Sequence, residues 1–365
     1  MITKSHTLSV GIVGLPNSGK STIFNSLTKK SVPAGNFPFC TIDKNVGVIE
    51  IPDKRLDRLS EFFKTEKRVP SAMTFVDIAG LVKGASKGEG LGNQFLSHIR
   101  EVDVVMYVLR AFPSQQIVHV YDRVDPVEDF EIVQDELIFK DIESIEKRFL
   151  AVEKLARIGK KEAQEEKSVL EEVLKSLNQG IPVIDIALKE EEKRLISHLS
   201  LLTSKPRMFI LNSKEGVAEE DLNKWEKALK EQIGGNSEYI VKVDVKLIGE
   251  EEEIKEYEQL LGYKPNMVED VIKKAYERLN LITFYTGSQK ECNSWSIQSG
   301  ANVKEAAGVI HTDLEQGFIT ADVVNVEEMI EANGWVSAKE KGIVKNHGKD
   351  YTVQDGDYIV ILANK

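Results

Sequence analysis

A chain of 365 residues with 41% hydrophobic content can bury a sizeable core and has room for two or three domains. Its formal charge of −11 argues against generalised adhesion to nucleic acid or anionic membrane and leaves only a local basic patch as a means of such contact. Cys40 and Cys292 cannot make a disulfide framework, the six histidines form no His/Cys cluster suited to zinc, and no apolar run reaches membrane-spanning length. The N-terminal apolar segment runs straight into a glycine loop, so no signal peptide is expected, and the expected address is the cytoplasm.

In chain order, residues 8–13 are apolar and β-branched like a buried strand, and residues 21–29 read as a helix. Between them Gly14-Leu15-Pro16-Asn17-Ser18-Gly19-Lys20-Ser21 fits G-x-x-x-x-G-K-[ST], a pattern that chance supplies in about one chain in a hundred of this length. Its glycines let backbone amides close on phosphate oxygens, Lys20 reaches the terminal phosphates, and the Ser21 hydroxyl ligates magnesium. The following helix turns its N-terminal dipole toward the anion.

Residues 31–43 are broken by Pro33, Gly35 and Pro38 and form a loop whose useful residue is Thr41, a hydroxyl able to complete a magnesium shell when a γ-phosphate is present. Residues 45–51 and 72–78 read as strands. The second ends on Asp77-Ile78-Ala79-Gly80, where Asp77 serves magnesium through a bound water and the Gly80 amide approaches the phosphate. Leu81 follows where a Ras-like GTPase carries a polar residue that orients water, and a leucine cannot do so. The glycine-rich stretch 83–93 suits a switch segment, residues 94–101 a helix, and residues 103–109 a fully buried parallel strand. This alternation predicts a doubly wound α/β domain with ligand at the carboxyl ends of its strands.

Residues 126–204 are rich in Glu, Lys and Leu at helical spacing and predict an inserted, coiled-coil-like helical pair, interrupted at Gly180-Ile181-Pro182. Its charge runs, such as 160–167, read as a solvated face. The α/β pattern resumes with a strand at 207–211, closing on Asn212-Ser213-Lys214-Glu215. GTPases place [NT]-K-x-D there, with the Asp accepting from guanine N1–H. Adenine has no N1–H, so the chemical need for that Asp disappears with an adenine base. Asn223-Lys224-Trp225-Glu226 looks closer to the GTPase motif but lies in a helical stretch with no strand before it. From residue 281, strands are expected at 281–286, 294–297, 317–324 and 349–361, and helices at 303–310 and 326–332, with Trp295, Phe318 and Tyr351 as core residues rather than base-stacking platforms.

GLPNSGKST, NFPFCTI, DIAGLVKGASKGEGLGNQF, IVHV, RVDP and the N-x-x-E after a strand resemble the YchF, or Obg-like ATPase, branch of the Obg-type translation-factor NTPases, over nearly the whole chain. The resemblance implies a nucleotide domain over residues 1–125 and 205–280, an inserted helical domain over 126–204 and a C-terminal, β-rich TGS domain over 281–365, the last matched by HTDLEQGFITADVV and GKDYTVQDGD. It implies ATP in preference to GTP, with the phosphates on Asn17, Ser18, Gly19, Lys20, Ser21 and Thr22, magnesium on Ser21 and Thr41, and the base near Asn212 and Ser213. It also implies a hydrophobic Leu81, His119 as the residue that stabilises hydrolysis, and association with the ribosome, as large subunit or whole 70S particle. No membrane or direct DNA contact is expected. Ser213 departs from the family's usual apolar residue, and Asp244 from its usual small one. The expected activity is slow magnesium-dependent ATP hydrolysis acting as a switch. The alternatives are a GTPase of the same fold, or a ribosome-binding module in which nucleotide is structural and turnover incidental.

Overall fold

The computed structural model describes residues 8–28, 45–78, 98–113, 121, 123–214, 217–234, 239–244 and 267–364. The chain divides into two compact units, one of residues 9–29 and 75–267, the other of residues 1–8, 30–74 and 268–365.

The strands β1 (Leu8–Val13), β2 (Val46–Glu50), β4 (Ala72–Asp77), β5 (Val104–Arg110), β6 (Arg207–Ser213) and β7 (Ile240–Asp244) form one sheet in the order β2-β4-β1-β5-β6-β7. Pairings β1/β5, β5/β6 and β6/β7 are all parallel, with Ile12 opposite Met106 and Tyr107 opposite Phe209. Every residue of β5 and β6 is buried, as continuous apolar runs in a parallel sheet require. Tyr107 stacks on Phe209 at 5.4 Å, and Phe130 meets both edge-on. Helix α1 (Lys20–Thr28) follows β1 and buries Ile23, Phe24 and Leu27.

In the unit of residues 9–29 and 75–267, α3 (Pro126–Arg157) begins on an Asp125 N-cap, with Pro126 inside its first turn. Phe130, Val133 and Leu137 pack into the core beside the sheet, while Ile138, Ile145 and Val152 join a second core with Val169, Leu170, Val173 and Leu177 of α4 (Lys161–Leu177). The turn of this helical hairpin lies at residues 158–160, and Gly180-Ile181-Pro182 instead follows the end of α4. Arg148 grips Glu166 across the hairpin with two bonds of 2.7 and 2.8 Å. The short α5 (Glu190–Ile196) precedes β6, and α6 (Glu219–Ile233) contains residues 223–226, as the absence of a strand before them predicts.

The other unit is built on a mixed sheet in the order β11-β10-β12-β8-β9-β3, from β3 (Lys67–Val69), β8 (Leu281–Gly287), β9 (Glu291–Gln298), β10 (Phe318–Asn325), β11 (Lys345–His347) and β12 (Asp357–Ala363). Side chains alternate between its faces, as the two-residue repeat of a strand dictates. Phe284 and Ile359 join Val303 and Ala306 of α8 (Val303–Ile310), whereas Tyr285 and Tyr358 join Leu56 and Leu59 of α2 (Lys54–Phe63). Trp295, Phe318 and Tyr351 pack against the first of these cores, as the sequence predicts.

Neither α2 nor β3 is expected from the sequence, yet β3 pairs in parallel with β9, Arg68 opposite Cys292. The expected strand over 349–361 is corrected: β12 starts only at Asp357, because Gly356 takes a φ of 93° and donates its N–H to Thr283 O at 2.8 Å. The remaining helices are α7 (Met267–Arg278), α9 (Thr312–Gln316), α10 (Val326–Glu331) and α11 (Trp335–Glu340). No helix among the described residues is long and apolar enough to cross a membrane.

Candidate functional site

The loop after β1 is shaped by close approaches that only small residues allow. A Cβ on Gly14 would overlap Val108 O, and one on Gly19, whose φ is 96°, would overlap the Asn212 side-chain amide. Asn17 takes a left-handed φ of 62°, a conformation asparagine tolerates better than most residues. Ser18 N bonds to Leu15 O at 3.3 Å, and Ile23 N bonds to Gly19 O at 3.0 Å as α1 begins. No acidic residue occupies the first turn of α1, so its N-terminal partial charge is left to an external anion.

Lys20 folds back over this loop, its Nζ donating to Gly14 O at 3.1 Å and Leu15 O at 2.8 Å. Burial pushes the ammonium below the ordinary lysine range, and the nearby Asp77 carboxylate offsets part of that shift. At the end of β4, Asp77 Oδ2 accepts from Ser21 Oγ at 3.2 Å, and Ile78 N donates to Ile12 O at 3.2 Å, holding this strand end to β1. Asp77 Oδ1 is buried and has no hydrogen-bond partner among the described residues. A hydroxyl oxygen beside a carboxylate with one oxygen unspent is a hard donor set that fits magnesium.

Asn212, fully buried in β6, donates Nδ2 to Ser18 O at 2.7 Å, so the loop's backbone is braced from a strand 194 positions away in sequence. Its Oδ1, like Ser18 Oγ, is buried with no hydrogen-bond partner among the described residues. Ser213 Oγ donates to Val243 O at 3.0 Å, which commits that hydroxyl to the neighbouring strand. Thr22 lies exposed on the first turn of α1, where its carbonyl accepts from Ser26 Oγ at 2.8 Å. The structure thus brings Ser18, Gly19, Lys20, Ser21, Asp77 and Asn212 together. Thr41, Gly80, Leu81 and His119 lie outside the described residues.

One residue near the site escapes sequence reasoning. Arg110 closes β5 directly opposite Asn212 and is almost fully buried, its Nε donating to Phe112 O at 3.0 Å and its guanidinium over the Phe112 ring at 4.7 Å. Burial lowers its pKa and Asp129 partly restores it. The signal was a cation ending a strand that is otherwise apolar and fully buried.

A parallel sheet whose first strand enters a glycine loop at a helix N-terminus, with a lysine over the loop and a serine of that helix bonded to the aspartate that ends a neighbouring strand, defines a phosphate-loop nucleoside-triphosphatase fold. Residues 9–154 match a family model described as a 50S ribosome-binding GTPase, and residues 281–364 match YchF-GTPase_C, described as a protein of unknown function. The chain is 43% identical over 363 residues to the "Ribosome-binding ATPase YchF" of Bacillus subtilis (strain 168), covering 98% of this chain and 99% of that one. It is 44% identical over 360 residues to the protein of the same name from Escherichia coli O157:H7, covering 97% and 98%. The solved structure of the Schizosaccharomyces pombe YchF GTPase superposes with a TM-score of 0.82 at 34% identity, covering 99% of this chain and 100% of that one. The chain belongs to the YchF family.

Proposed function

We propose that this protein is a cytoplasmic, magnesium-dependent ATPase that acts as a slow switch on the ribosome. Support comes from the two bacterial relatives named as ribosome-binding ATPases, whose similarity runs through nearly the whole of both chains. The amides of residues 17–22 and the Lys20 ammonium hold the phosphates, and Asn212 keeps that loop in shape through Ser18 O. Ser21, Thr41 and Asp77 would hold the magnesium ion. Bound there, the metal would neutralise charge developing on the β- and γ-phosphates. Gly80 gives its amide to the terminal phosphate.

With Leu81 unable to orient water, turnover is slow, and His119 supplies the stabilising group for hydrolysis. The state of Thr41 and of residues 83–93 is passed to the helical domain over 126–204 and the TGS domain over 281–365.

The preference for ATP rests on one observation, the loss of [NT]-K-x-D at Asn212-Ser213-Lys214-Glu215. Asn212 there gives its amide to the phosphate loop and Ser213 its hydroxyl to Val243, so neither of these donors is committed to reading a guanine. A GTPase of the same fold is the second reading, favoured by the name of the fission-yeast relative, YchF GTPase.

Calorimetry of ATP and GTP binding to nucleotide-free protein with magnesium decides between them. ATP is expected to bind tighter by about tenfold, or about 1.4 kcal/mol. GTP binding equally or more tightly would transfer the assignment to the second reading. His119→Ala is expected to slow hydrolysis roughly a hundredfold with nucleotide affinity nearly unchanged. An equal fall in both would remove His119 from the chemistry.

A further inference from the structure

Residues 114–120, with His119 among them, lie in sequence between β5 and α3, and the chain on either side of them is held by an arginine. Before them, Arg110 donates Nε to Phe112 O at 3.0 Å and lays its guanidinium over the Phe112 ring at 4.7 Å. After them, Arg123 stands over the Tyr121 ring at 5.3 Å. Both arginines answer to one carboxylate. Asp129 of α3, only 2% exposed, accepts from Arg123 Nη1 at 3.0 Å. Burial disfavours the Arg110 cation, and the nearby Asp129 charge offsets part of that penalty.

The helix does not need Asp129 as a cap. Asp125 already fills that role, its Oδ1 accepting from Val127 N and Glu128 N at 3.1 Å each, and Asp129 sits one turn further on with its own N–H on Asp125 O at 3.0 Å. Taking a carboxylate out of water costs free energy that an apolar side chain of similar size would not, so a buried ion pair is weak evidence for stability alone. Arg123 is held further by Asp125 O at 3.4 Å and Glu128 at 2.9 Å, and its buried Nη2 has no hydrogen-bond partner among the described residues.

The two anchors refer this stretch to rigid neighbours. Arg110 is directly opposite Asn212, which braces the phosphate loop through Ser18 O at 2.7 Å, and Ala111 N donates to Asn212 O at 2.8 Å. Asp129 is followed by Phe130, whose ring packs edge-on against Tyr107 of β5 and Phe209 of β6. The carboxylate is therefore fixed to the sheet that also carries the phosphate loop. A group acting on a reacting phosphate must be held to within about 0.5 Å, and supporting side chains on helices and strands supply that precision.

We propose that Asp129 is a positioning residue for ATP hydrolysis, which through Arg110 and Arg123 sets both ends of the stretch that carries His119. The proposal rests on the reading of His119 given above.

The test is ATPase kinetics and ATP calorimetry on Asp129→Asn and Arg123→Ala, each made in the parent chain and in His119→Ala. Asparagine keeps the size of the Asp129 side chain and loses its charge. Arg123 is partly exposed, so if a thermal melt shows that Asp129→Asn does not fold, Arg123→Ala decides alone. In the parent, Asp129→Asn is expected to lower kcat roughly tenfold to a hundredfold and Arg123→Ala about threefold to tenfold, with KM and the ATP dissociation constant within about twofold of their original values. In His119→Ala neither is expected to lower kcat further, because residues that act as a unit are not additive.

An unchanged kcat in the parent would overturn the proposal. So would an ATP affinity that falls in step with kcat, which would place the effect in the phosphate loop through Asn212. An equal fractional loss with and without His119 would overturn it too, since Asp129 would then act by another route. If His119→Ala alone leaves hydrolysis untouched, the His119 reading fails and takes this proposal with it. If His119→Ala slows hydrolysis and Asp129→Asn does not, only the proposal fails.

Discussion

Two regions of this molecule place polar side chains against packed elements and use them in opposite ways. Around α2 and the C-terminal sheet, carboxylates are matched to donors. Asp53 accepts from Arg55 N, Leu56 N and Tyr285 OH, the last at 2.5 Å. Asp355 accepts from Arg55 at 2.6 and 3.3 Å and from Thr283 N at 2.9 Å, and Asp357 accepts from Tyr351 OH and Gln354 N. Only the Ser60 hydroxyl of that unit is buried without a partner among the described residues.

Around the phosphate loop, three buried oxygens, on Ser18, Asp77 and Asn212, have none among the described residues. A buried polar atom left unmatched costs about 1–3 kcal/mol, so three beside one glycine loop are a debt that a ligand rich in charge and donors can settle. Completed networks hold a fold together. Incomplete ones mark where something binds.

That contrast breaks or sharpens under substitution. Lys20→Ala is expected to weaken ATP at least a hundredfold, about 2.7 kcal/mol, while the unfolding temperature hardly moves, and calorimetry beside a thermal melt checks both. Retained affinity would mean that the loop amides suffice without the ammonium.

Asn212→Ala removes the donor to Ser18 O. It should loosen nucleotide by about tenfold and cost stability on the order of 1 kcal/mol. A pure stability loss would reduce Asn212 to a core residue.

Asp53→Ala, in the completed network, should leave ATP affinity where it was yet cost about 1–3 kcal/mol in denaturant unfolding, through the lost helix cap and the stranded Tyr285 hydroxyl. A matching change in ATP affinity would show that the two networks act as one.

The smallest effect concerns pH. Burial lowers the Lys20 pKa in the free chain, so above that value the chain has lost a proton that the phosphates require it to regain. Affinity is therefore expected to decline a few-fold at alkaline pH, setting in below the ordinary lysine value of about 10.4, with proton uptake visible as a binding heat that varies with the buffer. A heat independent of buffer on the alkaline side would show Lys20 fully charged before nucleotide arrives.

Much of this was legible in the chain itself, and the physical reason is range. The phosphate loop is a run of adjacent residues whose backbone demands, at Gly14, Gly19 and Asn17, are written into their own side chains. The buried strands β5 and β6 announce themselves as uninterrupted apolar runs, α8 has the bounds that its spacing predicts, and the α3–α4 hairpin follows from helical periodicity over 126–177.

What only the tertiary structure decided are partnerships between distant residues. Helix α2 has apolar residues at 56, 59 and 63, but nothing local says that they cover Tyr285 and Tyr358, or that β3 joins β9. Asn212 was read toward the base, and the fold ties its amide to Ser18 O. Spacing along a chain encodes which face of an element is apolar; which other element that face meets is settled by packing, through contacts that no local pattern records.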